Sequence, residues 1–411
     1  MRKLNTMPNQ NFSSAKKAQE DEFYTQYPDI QKEINAYLEY NPDVFRNKTV
    51  LLPCDDPEWS NFTKFFAQNF ENFGLKKLIS TSFAIESKKY KMDWQPTLFE
   101  TENPLFNLDK SKRCGKIFVL DHDTNANGKI DIEDLQWQYL EGDGDFRSDE
   151  VKKLRDEADI IVTNPPFSLF REFLAWLIEG KNKFLVMGNS NVVTYKWIFP
   201  LIKDNKLWFG NHSGHTLFAV PENAKIPDFY DLNDTQKLNA NGYKMINGKL
   251  WRNLGNICWF TNIDHGRRHQ PLQLMSKADN LKFSKHKDDE KWNVAYLKYD
   301  NYDAIEVPFY DAIPSDYDGV MGVPISFLDK YCPEQFEIVG LGNSRENFTP
   351  NKDYINPKKV KKDGKIVNGG AINCVLTIEL EKQPHDTVYY ISDNSKYLIS
   401  PYARILIRKV Q

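Results

Sequence analysis

The chain has 411 residues, 40% of them hydrophobic and 27% charged, which is typical of a globular protein with a substantial core and excludes wholesale disorder and a disulfide-stapled miniprotein. The formal net charge of −3 gives no overall attraction to phosphate, so nucleic-acid binding would require basic residues gathered on one face. Five cysteines without a CxxC pair predict reduced thiols, and no apolar run has the length of a membrane span or the centre of a signal peptide, so we expect a cytoplasmic protein without a membrane partner.

The first part of the chain predicts a strand, a helix and a second strand in succession. Residues 1–20 are polar and are expected to form a mobile segment, and a helix is expected after Pro28-Asp29. The run 49–52 (TVLL) predicts a buried strand, and the helix after it has Ser60 as a cap and Gly74 as a stop. Residues 75–83 return as the next strand, which completes a βαβ unit.

The same alternation continues up to about residue 190. Strands are expected at 116–120, 160–162 and 184–187, and helices at 148–158 and over the stretch that ends at Gly180. This alternation predicts an α/β fold with a doubly wound parallel sheet, which binds ligands at the carboxyl ends of its strands. After about residue 205, shorter apolar runs and the Asn247-Gly248 turn predict antiparallel strands that finish the sheet.

The composition of the chain changes again near residue 264, where basic residues become more frequent and the hydrophobic pattern becomes irregular. We therefore expect a catalytic domain over residues 21–263 and a smaller second domain over residues 264–411. No internal repeat of fixed period is present, so a solenoid or propeller is not expected.

The strongest chemical signal is the motif Asn164-Pro165-Pro166-Phe167, directly after the 160–162 strand. An amino group conjugated to a heteroaromatic ring is a poor nucleophile because its lone pair is delocalised. Two acceptors aimed at its hydrogens, the Asn164 side-chain oxygen and the Pro165 carbonyl, would draw the nitrogen toward a tetrahedral form, and the prolines fix the backbone. Phe167 offers a flat face on which a base can stack. Beside a sulfonium methyl donor this motif predicts amino methylation, whereas the tetrapeptide by itself also suits a plain exit turn.

Further stretches accompany this motif along most of the chain, in one consistent order. They are 21–25 (DEFYT), 54–57 (CDDP), 60–62 (SNF), 142–148 (GDGDFRS), 158–173 (ADIIVTNPPFSLFREF), 188–189 (GN), 195–196 (YK) and 321–328 (MGVPISFL). Together they resemble the EcoRI-type family of adenine-specific DNA modification methylases. One departure from methyltransferases in general is that the turn after the first strand lacks a glycine-rich pattern.

The resemblance implies S-adenosylmethionine as the methyl donor, the N6 amine of a DNA adenine as the acceptor, and a methyltransferase (Rossmann-like) variant of the doubly wound fold. The residues that it assigns to the donor are Tyr24, Thr25, Cys54, Asp55, Asp56 and Pro57. Which of Asp55 and Asp56 touches the donor stays open. Asp143 and Asp145 are candidates for the adenine side or for the donor, and a plain charged loop is an equal interpretation.

The same resemblance implies double-stranded DNA as the partner. The target adenine must rotate out of the duplex, and phosphate contacts must offset part of the free-energy cost of unpairing and unstacking it. Target recognition is then expected in residues 264–411. The most concentrated basic residues there are Arg267, Arg268, Lys358, Lys359, Lys361 and Lys362. A solvated charged loop suits each of them as well. A role in restriction-modification or DNA marking follows, with a cognate restriction endonuclease as a candidate partner.

A second motif, at residues 123–134, fits a twelve-position calcium loop. Its candidate ligands are Asp123, Asn125, Asn127, Lys129 and Asp134. Against calcium, the preceding segment predicts a strand instead of a helix, and the sequence has no second loop to pair with this one. A turn carried by a pair of strands also fits, so calcium is expected at most as a structural clip.

Other interpretations remain beside DNA methylation. A methyltransferase of the same fold that acts on RNA or on a protein glutamine is one alternative, and a calcium-responsive binding module without catalysis is another. Pro53-Cys54 matches the proline-cysteine pair of cytosine-C5 methylases, but their other expected elements are not found. His212 and His215 have an HxxH spacing, for which a polar turn is a better interpretation than a zinc site.

Overall fold

The structure is a computed structural model that describes residues 25–55, 60–84, 101–213, 217–220, 234–240, 242–253, 256–343, 348–393 and 396–410. The chain divides into two compact units. The first comprises residues 1–190 and 209–265, and the second comprises residues 191–208 and 266–411. The predicted mobile segment 1–20 and the site candidates Tyr24, Asp56, Pro57 and His215 lie outside the described residues.

A mixed eight-stranded sheet forms the centre of the first unit. The strands of this unit are β1 (Thr49–Leu52), β2 (Lys77–Ser82), β3 (Lys116–Leu120), β4 (Gln136–Tyr139), β5 (Ile160–Thr163), β6 (Lys183–Asn189), β7 (Trp208–Ser213), β8 (Leu217–Ala219), β9 (Tyr243–Ile246), β10 (Lys249–Asn253) and β11 (Ile257–Thr261). Their order in the large sheet is β4-β3-β2-β1-β5-β6-β11-β7. The central strands β2, β1, β5 and β6 are parallel, as predicted. Strands β3 and β4 on one side and β11 on the other run antiparallel to their neighbours.

Local chemistry sets several helix ends where the sequence predicts them. The helices are α1 (Tyr27–Tyr40), α2 (Asn61–Gln68), α3 (Phe70–Phe73), α4 (Leu108–Arg113), α5 (Asp149–Glu157), α6 (Phe170–Gly180), α7 (Phe199–Lys203), α8 (Thr235–Ala240) and α9 (Lys277–Phe283). Ser60 Oγ accepts a hydrogen bond from the Phe62 N–H (3.1 Å) at the start of α2. Ser148 caps α5 in the same way through the Val151 N–H (3.2 Å). Gly74 ends α3 in the left-handed conformation, with φ of 62°.

The end of α6 differs from its prediction. Gly180 is the last helical residue, and the left-handed conformation falls on Lys181, with φ of 57°. A Cβ atom at Gly180 would lie 2.7 Å from the side chain of Arg155. The side chains of Asn182, with its Oδ1 at 2.3 Å, and of Arg155 in α5 therefore favour glycine at this position, and the turn itself tolerates a lysine.

Phenylalanines of α2 and α3 fill the core around β1. Phe62, Phe65 and Phe66 are each at most 2% exposed and belong to one buried cluster with Val50 and Leu52. These three phenylalanines therefore form one apolar face of α2 that is buried against β1. This packing holds α2 against β1, the strand that ends at the Cys54-Asp55 turn.

The later strands of the first unit only partly finish the large sheet. Strand β11 joins the large sheet in the antiparallel direction, as predicted, and its neighbour there is β6, but β8, β9 and β10 form a separate three-stranded sheet. The β9–β10 hairpin turns at Asn247 and Gly248, with φ of 50° and 74°, which confirms the predicted Asn-Gly turn.

The second unit is built from two small sheets. Its strands are β12 (Ile305–Glu306), β13 (Met321–Pro324), β14 (Phe336–Leu341), β15 (Lys358–Val360), β16 (Ile366–Asn368), β17 (Ile378–Leu380), β18 (Tyr389–Ile391), β19 (Tyr397–Ile399) and β20 (Arg404–Lys409). One sheet has the order β12-β13-β20-β14 and the other β16-β15-β18-β19-β17. In the described part of the chain, none of the helices is both long and apolar enough to cross a membrane.

Candidate active site

The ends of β1 and β5 lie side by side at the centre of the large sheet. Val50 pairs with Ile160 and Leu51 with Ile161, so continuing this register brings the turn after β1 beside Thr163 and Asn164. The chain leaves β1 toward β2 on one side and reaches β5 on the other. This is the topological switch point at which open α/β sheets bind their ligands.

The motif at 164–167 begins where β5 ends. Thr163 is fully buried and is the last residue of the strand, whereas Asn164 is half-buried. Two consecutive prolines have no N–H to donate to a sheet, so the strand stops and the chain enters the 3₁₀ turn Phe167–Leu169 ahead of α6. The Leu169 N–H closes this turn on the Pro166 carbonyl (2.9 Å).

The ring of Phe167 is held by a second aromatic residue. Phe167 is half-buried, and its centroid lies 6.3 Å from that of Phe218 in β8, with an interplanar angle of 79°. Such an edge-to-face contact fixes the plane of the Phe167 ring. The motif therefore carries an aromatic ring of fixed orientation three residues after Asn164.

The carboxylate of Asp55 joins the turn after β1 to the end of β5. Asp55 is only 5% exposed. Its Oδ1 accepts a hydrogen bond from Ser60 Oγ (2.7 Å), and its Oδ2 accepts one from Thr163 Oγ1 (2.5 Å). We call this three-residue link the Asp55 bridge.

The backbone of the same turn is also held in place. The Asp55 N–H donates to the Thr81 carbonyl (3.0 Å), and the Asp55 carbonyl accepts from Thr63 Oγ1 (3.1 Å). Thr81 Oγ1 donates to the Pro53 carbonyl (3.0 Å). The turn therefore has a fixed shape without the usual glycines. Cys54 is half-buried and is not in a disulfide.

Thr25 lies at the same edge of the sheet. It is buried, and its Oγ1 donates to Met187 Sδ in β6 (3.2 Å). Its carbonyl accepts from Asn61 Nδ2 at the start of α2 (2.8 Å). Because Val186 pairs with Thr163, Met187 is one residue further along the strand, level with Asn164.

The loop at 142–145 packs against the carboxyl end of β2. The Asp143 carbonyl accepts from the Ala84 N–H (2.7 Å). Gly144 has φ of 82°, and a Cβ atom there would lie 2.2 Å from the Ser82 carbonyl oxygen, so only glycine fits. Since β2 is parallel to β1, this contact brings Asp143 to the edge that carries the other candidates.

Asp143 and Asp145 have different surroundings. The Asp143 carboxylate accepts a hydrogen bond from the Asp145 N–H (3.1 Å). The Asp145 carboxylate is paired with the Arg147 guanidinium (2.6 Å), which also reaches Glu172 (2.8 Å). The hydrogen bond from Arg147 lowers the pKa of the Asp145 carboxyl from its ordinary value. Asp145 is therefore bound within its own loop.

The predicted calcium loop joins the antiparallel strands β3 and β4. The Asp134 Oδ1 accepts from the backbone N–H of Thr124 (2.8 Å) and of Asn125 (3.2 Å), and its Oδ2 accepts from that of Asp131 (3.1 Å). Both oxygens thus hold the backbone of the loop. In the described residues no group of three or more His, Cys, Asp or Glu side chains could hold a metal. Calcium is not supported for the predicted ligands Asp123, Asn125, Asn127, Lys129 and Asp134.

A polar turn was predicted at His212, and this prediction is wrong, because His212 lies in strand β7. Its backbone N–H and its Nδ1 each lie 2.8 Å from Glu33 Oε2, and Glu33 is fully buried in α1. The imidazole therefore has a structural partner in Glu33, whose buried carboxylate also accepts hydrogen bonds from the Tyr37 hydroxyl (3.1 Å) and the Asn211 N–H (2.7 Å).

In the second unit, the two predicted phosphate-binding arginines already have partners in that unit. Arg267 donates to the Asp329 carboxylate. The Arg268 guanidinium lies 3.9 Å from the centroid of Trp208 and donates to Asn205 Oδ1 (2.7 Å). Both arginines have a packing role, whatever else they contact.

The predicted lysines lie on one β-hairpin formed by β15 and β16, which we call the basic hairpin (residues 358–368). Its turn is closed by the Lys361 N–H on the Lys365 carbonyl (3.0 Å). The exposed members are Lys358, Lys361, Lys362 and Lys365. Lys359 is half-buried, and its Nζ lies 5.8 Å from the ring centroid of Tyr390. The hairpin therefore presents several positive charges from one two-stranded element.

Sequence reasoning missed Ser60, Thr163 and Arg147 as members of the site. Ser60 was expected only as a helix cap. No local pattern marks a hydroxyl that bonds to a carboxylate 108 positions away, as Thr163 does with Asp55. Arg147 lay within a quoted motif, and its position two residues after Asp145 was a signal for a local ion pair.

Comparisons with known proteins agree with this geometry. The family model for the adenine-specific methyltransferase EcoRI matches residues 11–410. The chain is 42% identical to the Type II methyltransferase M.EcoRI of Escherichia coli over 79% of this chain and 87% of that protein. It is 36% identical to the Type II methyltransferase M.MpnI of Mycoplasma pneumoniae, over 80% and 84% of the two chains.

A third relative is the Type II methyltransferase M.MgeORF184P of Mycoplasma genitalium, which is 35% identical over 87% of this chain and 95% of its own length. No solved structure matches the chain significantly. The predicted family, fold class and enzymatic activity are thus confirmed. The chain belongs to the EcoRI family of adenine-specific methyltransferases and is an adenine-specific DNA methyltransferase.

Proposed function

We propose that this chain methylates the N6 amine of an adenine that has rotated out of duplex DNA, at the shared edge of β1, β2 and β5. One observation carries the proposal: the turn after β1 and the Asn164 motif end adjacent parallel strands, and Asp55 and Thr163 join them by a hydrogen bond of 2.5 Å. A donor site and an acceptor site are then next to each other, as direct transfer requires.

The residues at this edge suit S-adenosylmethionine, the donor that the family implies. A carboxylate is a suitable partner for ribose hydroxyls or an ammonium group, and Asp143 accepts only one hydrogen bond within the described residues. We propose that the donor is held by Asp143, Tyr24, Thr25 and the turn that contains Cys54, Asp56 and Pro57, with Asp55 fixing the shape of that turn and Asp145 securing the loop. When bound, the donor supplies an electrophilic methyl group on a sulfonium sulfur.

In this proposal Asn164 and Pro165 act on the acceptor nitrogen. Asn164 Oδ1 and the Pro165 carbonyl would accept the two amine hydrogens, which makes the lone pair available for in-line attack on the methyl carbon. The N–C bond would form as the C–S bond breaks, the sulfur would leave as a neutral thioether, and the nitrogen would release one proton to solvent. No covalent enzyme intermediate is needed. Pro166 fixes the turn, and Phe167 stacks on the rotated base, a contact worth about 1 to 3 kcal/mol.

Replacing Asn164 with Ala tests the acceptor role. We expect the rate constant for methyl transfer to fall about 100- to 1,000-fold, the usual loss when one aligned polar group is removed from a reacting centre. The dissociation constant of the donor should stay within about threefold, because Asn164 faces the acceptor. N6-methyladenine is quantified by mass spectrometry after reaction with duplex DNA. Asn239→Ala, at an exposed position of α8, is the matched control. Wild-type turnover by Asn164→Ala would contradict the assignment.

For DNA, we propose that the basic hairpin contacts phosphates together with Arg267 and Arg268. Replacing both Lys361 and Lys362 with Ala should weaken binding to all sequences alike. The slope of log K against log salt should become shallower by about 0.9 for each phosphate that these lysines neutralise in the wild type. The control is Lys298→Ala, which removes an exposed, ion-paired lysine of the same unit. An unchanged slope would exclude these two lysines from the interface.

The remaining assignments concern the biological setting. We propose a cognate restriction endonuclease that cuts the same site, because the relatives are Type II methyltransferases. A cytoplasmic location stays a prediction from the pattern of reduced cysteines. Sequencing methylated bases in DNA from cells that express the protein reports the modified atom and the recognised sequence together. Parallel assays with RNA and protein test the alternative acceptors, and labelling of either in place of DNA would overturn the proposal.

A further inference from the structure

The two aspartates of the turn after β1 raise the question of which one the donor contacts. The surroundings of Asp55 suggest another role for it. Its side chain is almost completely buried, and its two oxygens accept hydroxyl hydrogens from two different elements, Ser60 at the start of α2 and Thr163 at the end of β5.

We infer that Asp55 is a positioning residue that holds the Asn164 motif in register with the donor turn and does not act as a ligand of the donor. The inference rests on the proposed function of this site. The Asp55 bridge fixes Thr163, and Thr163 is joined to Asn164 by one rigid peptide plane. The position of the Asn164 Cα atom is thereby fixed relative to the turn after β1.

Burial and charge favour this role. A buried carboxylate is costly unless hydrogen-bond donors surround it, and here each oxygen has a hydroxyl donor at 2.7 Å or less. The Asp55 backbone is also held, through its N–H on the Thr81 carbonyl and its carbonyl on Thr63 Oγ1. Asp55 is thus held by hydrogen bonds at both its side chain and its backbone. This suits a permanent link between two strands better than a contact with the donor, which must form and break in each turnover.

The link matters because methyl transfer is sensitive to small displacements. Sulfur, methyl carbon and nitrogen must be in line, and a displacement of about 1 Å can reduce the rate by about 100-fold. Neighbouring strands alone fix the backbone up to Thr163, since β5 ends there. The Asp55 bridge adds a side-chain constraint at Thr163, so the backbone is also fixed at Asn164, the first residue of the motif.

Two substitutions at Thr163 separate positioning from packing. Thr163→Val keeps the shape of the side chain and removes the hydroxyl, and Thr163→Ser keeps the hydroxyl. For Thr163→Val we expect the rate constant for methyl transfer to fall about 10- to 100-fold, with the dissociation constants of donor and DNA within about threefold of wild type. Thr163→Ser should restore most of the rate. A merely structural role would instead lower folding stability without this separation of rate from binding.

Asp55→Asn is the second variant, and it decides the question even if Thr163→Val fails to fold. An asparagine can exchange hydrogen bonds with both hydroxyls but has no charge. We expect its affinity for S-adenosylmethionine, measured by calorimetric titration, to stay within about threefold of wild type, because a positioning residue acts through hydrogen bonds rather than charge.

Either of two results overturns the inference. One is a loss of donor affinity of tenfold or more in Asp55→Asn, which would make Asp55 a ligand of the donor. The other is methyl transfer at the wild-type rate by folded Thr163→Val. Failure of the proposed function itself looks different, since the wild-type protein would then give no N6-methyladenine in DNA.

Discussion

Gly188 in β6 is a position at which one added methyl group should disturb the site through a packed aromatic ring. An ideal Cβ atom there would lie 2.3 Å from two carbons of the Phe170 ring, whereas ordinary contact begins near 3.4 Å. The ring or the strand must therefore shift by about 1 Å. Phe170 is 3% exposed and packs on Phe260, with centroids 5.4 Å apart, so the ring has little room to move.

We expect Gly188→Ala to destabilise the first unit by about 1 to 3 kcal/mol, the usual cost of overpacking. Each kcal/mol should lower the melting temperature by about 2 to 4 °C in a unit of this size. Methyl transfer should slow as well, because Phe170 follows the 3₁₀ turn that carries Phe167. Thermal unfolding followed by circular dichroism gives the stability, and single-turnover assays give the rate.

The control is Gly142→Ala, where the nearest atom to the new Cβ would be 3.6 Å away. Its stability should change by less than about 0.5 kcal/mol. Replacing Phe170 with Leu in the Gly188→Ala background should recover part of the loss, because it removes the clashing ring atoms. Equal melting temperatures for Gly188→Ala and Gly142→Ala would refute the steric argument.

Three further outcomes test other parts of the structure. Glu306→Ala removes a fully buried carboxylate that pairs with Arg404 (2.6 Å), so urea unfolding should show a loss of about 3 to 5 kcal/mol, and a change below about 1 kcal/mol would contradict it. Arg147→Ala should return the pKa of Asp145 toward its ordinary value. Because that pKa is lowered in the folded protein, the ion pair stabilises the fold above about pH 4 and the effect disappears as the pH falls through the lowered pKa. The stability difference between wild type and this variant, about 1 kcal/mol at most for a half-exposed pair, should therefore vanish in acid. Calorimetric titration with calcium, after chelation, should show no binding heat for the predicted calcium loop at residues 123–134, and measurable binding would restore the calcium interpretation.

The features that the sequence predicts well are those that depend on neighbouring residues. Ser60 and Ser148 cap helices because a hydroxyl reaches an N–H two or three positions away. Gly74 ends a helix because it has no Cβ atom to oppose a positive φ. The location of the donor turn and the Asn164 motif at the same edge of the sheet was also predictable, because both follow buried strands and parallel strands end at one edge.

Features that depend on pairing between distant segments were not predictable. The direction of β3 follows from its antiparallel pairing with β2, and nothing within residues 116–120 marks it. The Asp55 bridge likewise requires β1 and β5 to be neighbours. The partners of Arg267 and Arg268 depend on how the second unit folds. The concentration of basic residues in the sequence predicted only that these arginines face solvent or DNA, and it gave no sign of their partners within the unit.

The segment 191–208 leaves the first unit, contributes α7 to the second, and returns as β7. Ile198 and Phe199 are fully buried there. A fragment cut at residue 263 would keep this segment but lose the residues that cover it, and its exposed apolar side chains would favour aggregation. Neither unit can therefore be excised by a single cleavage, and a two-piece version of the enzyme would need both halves present while they fold.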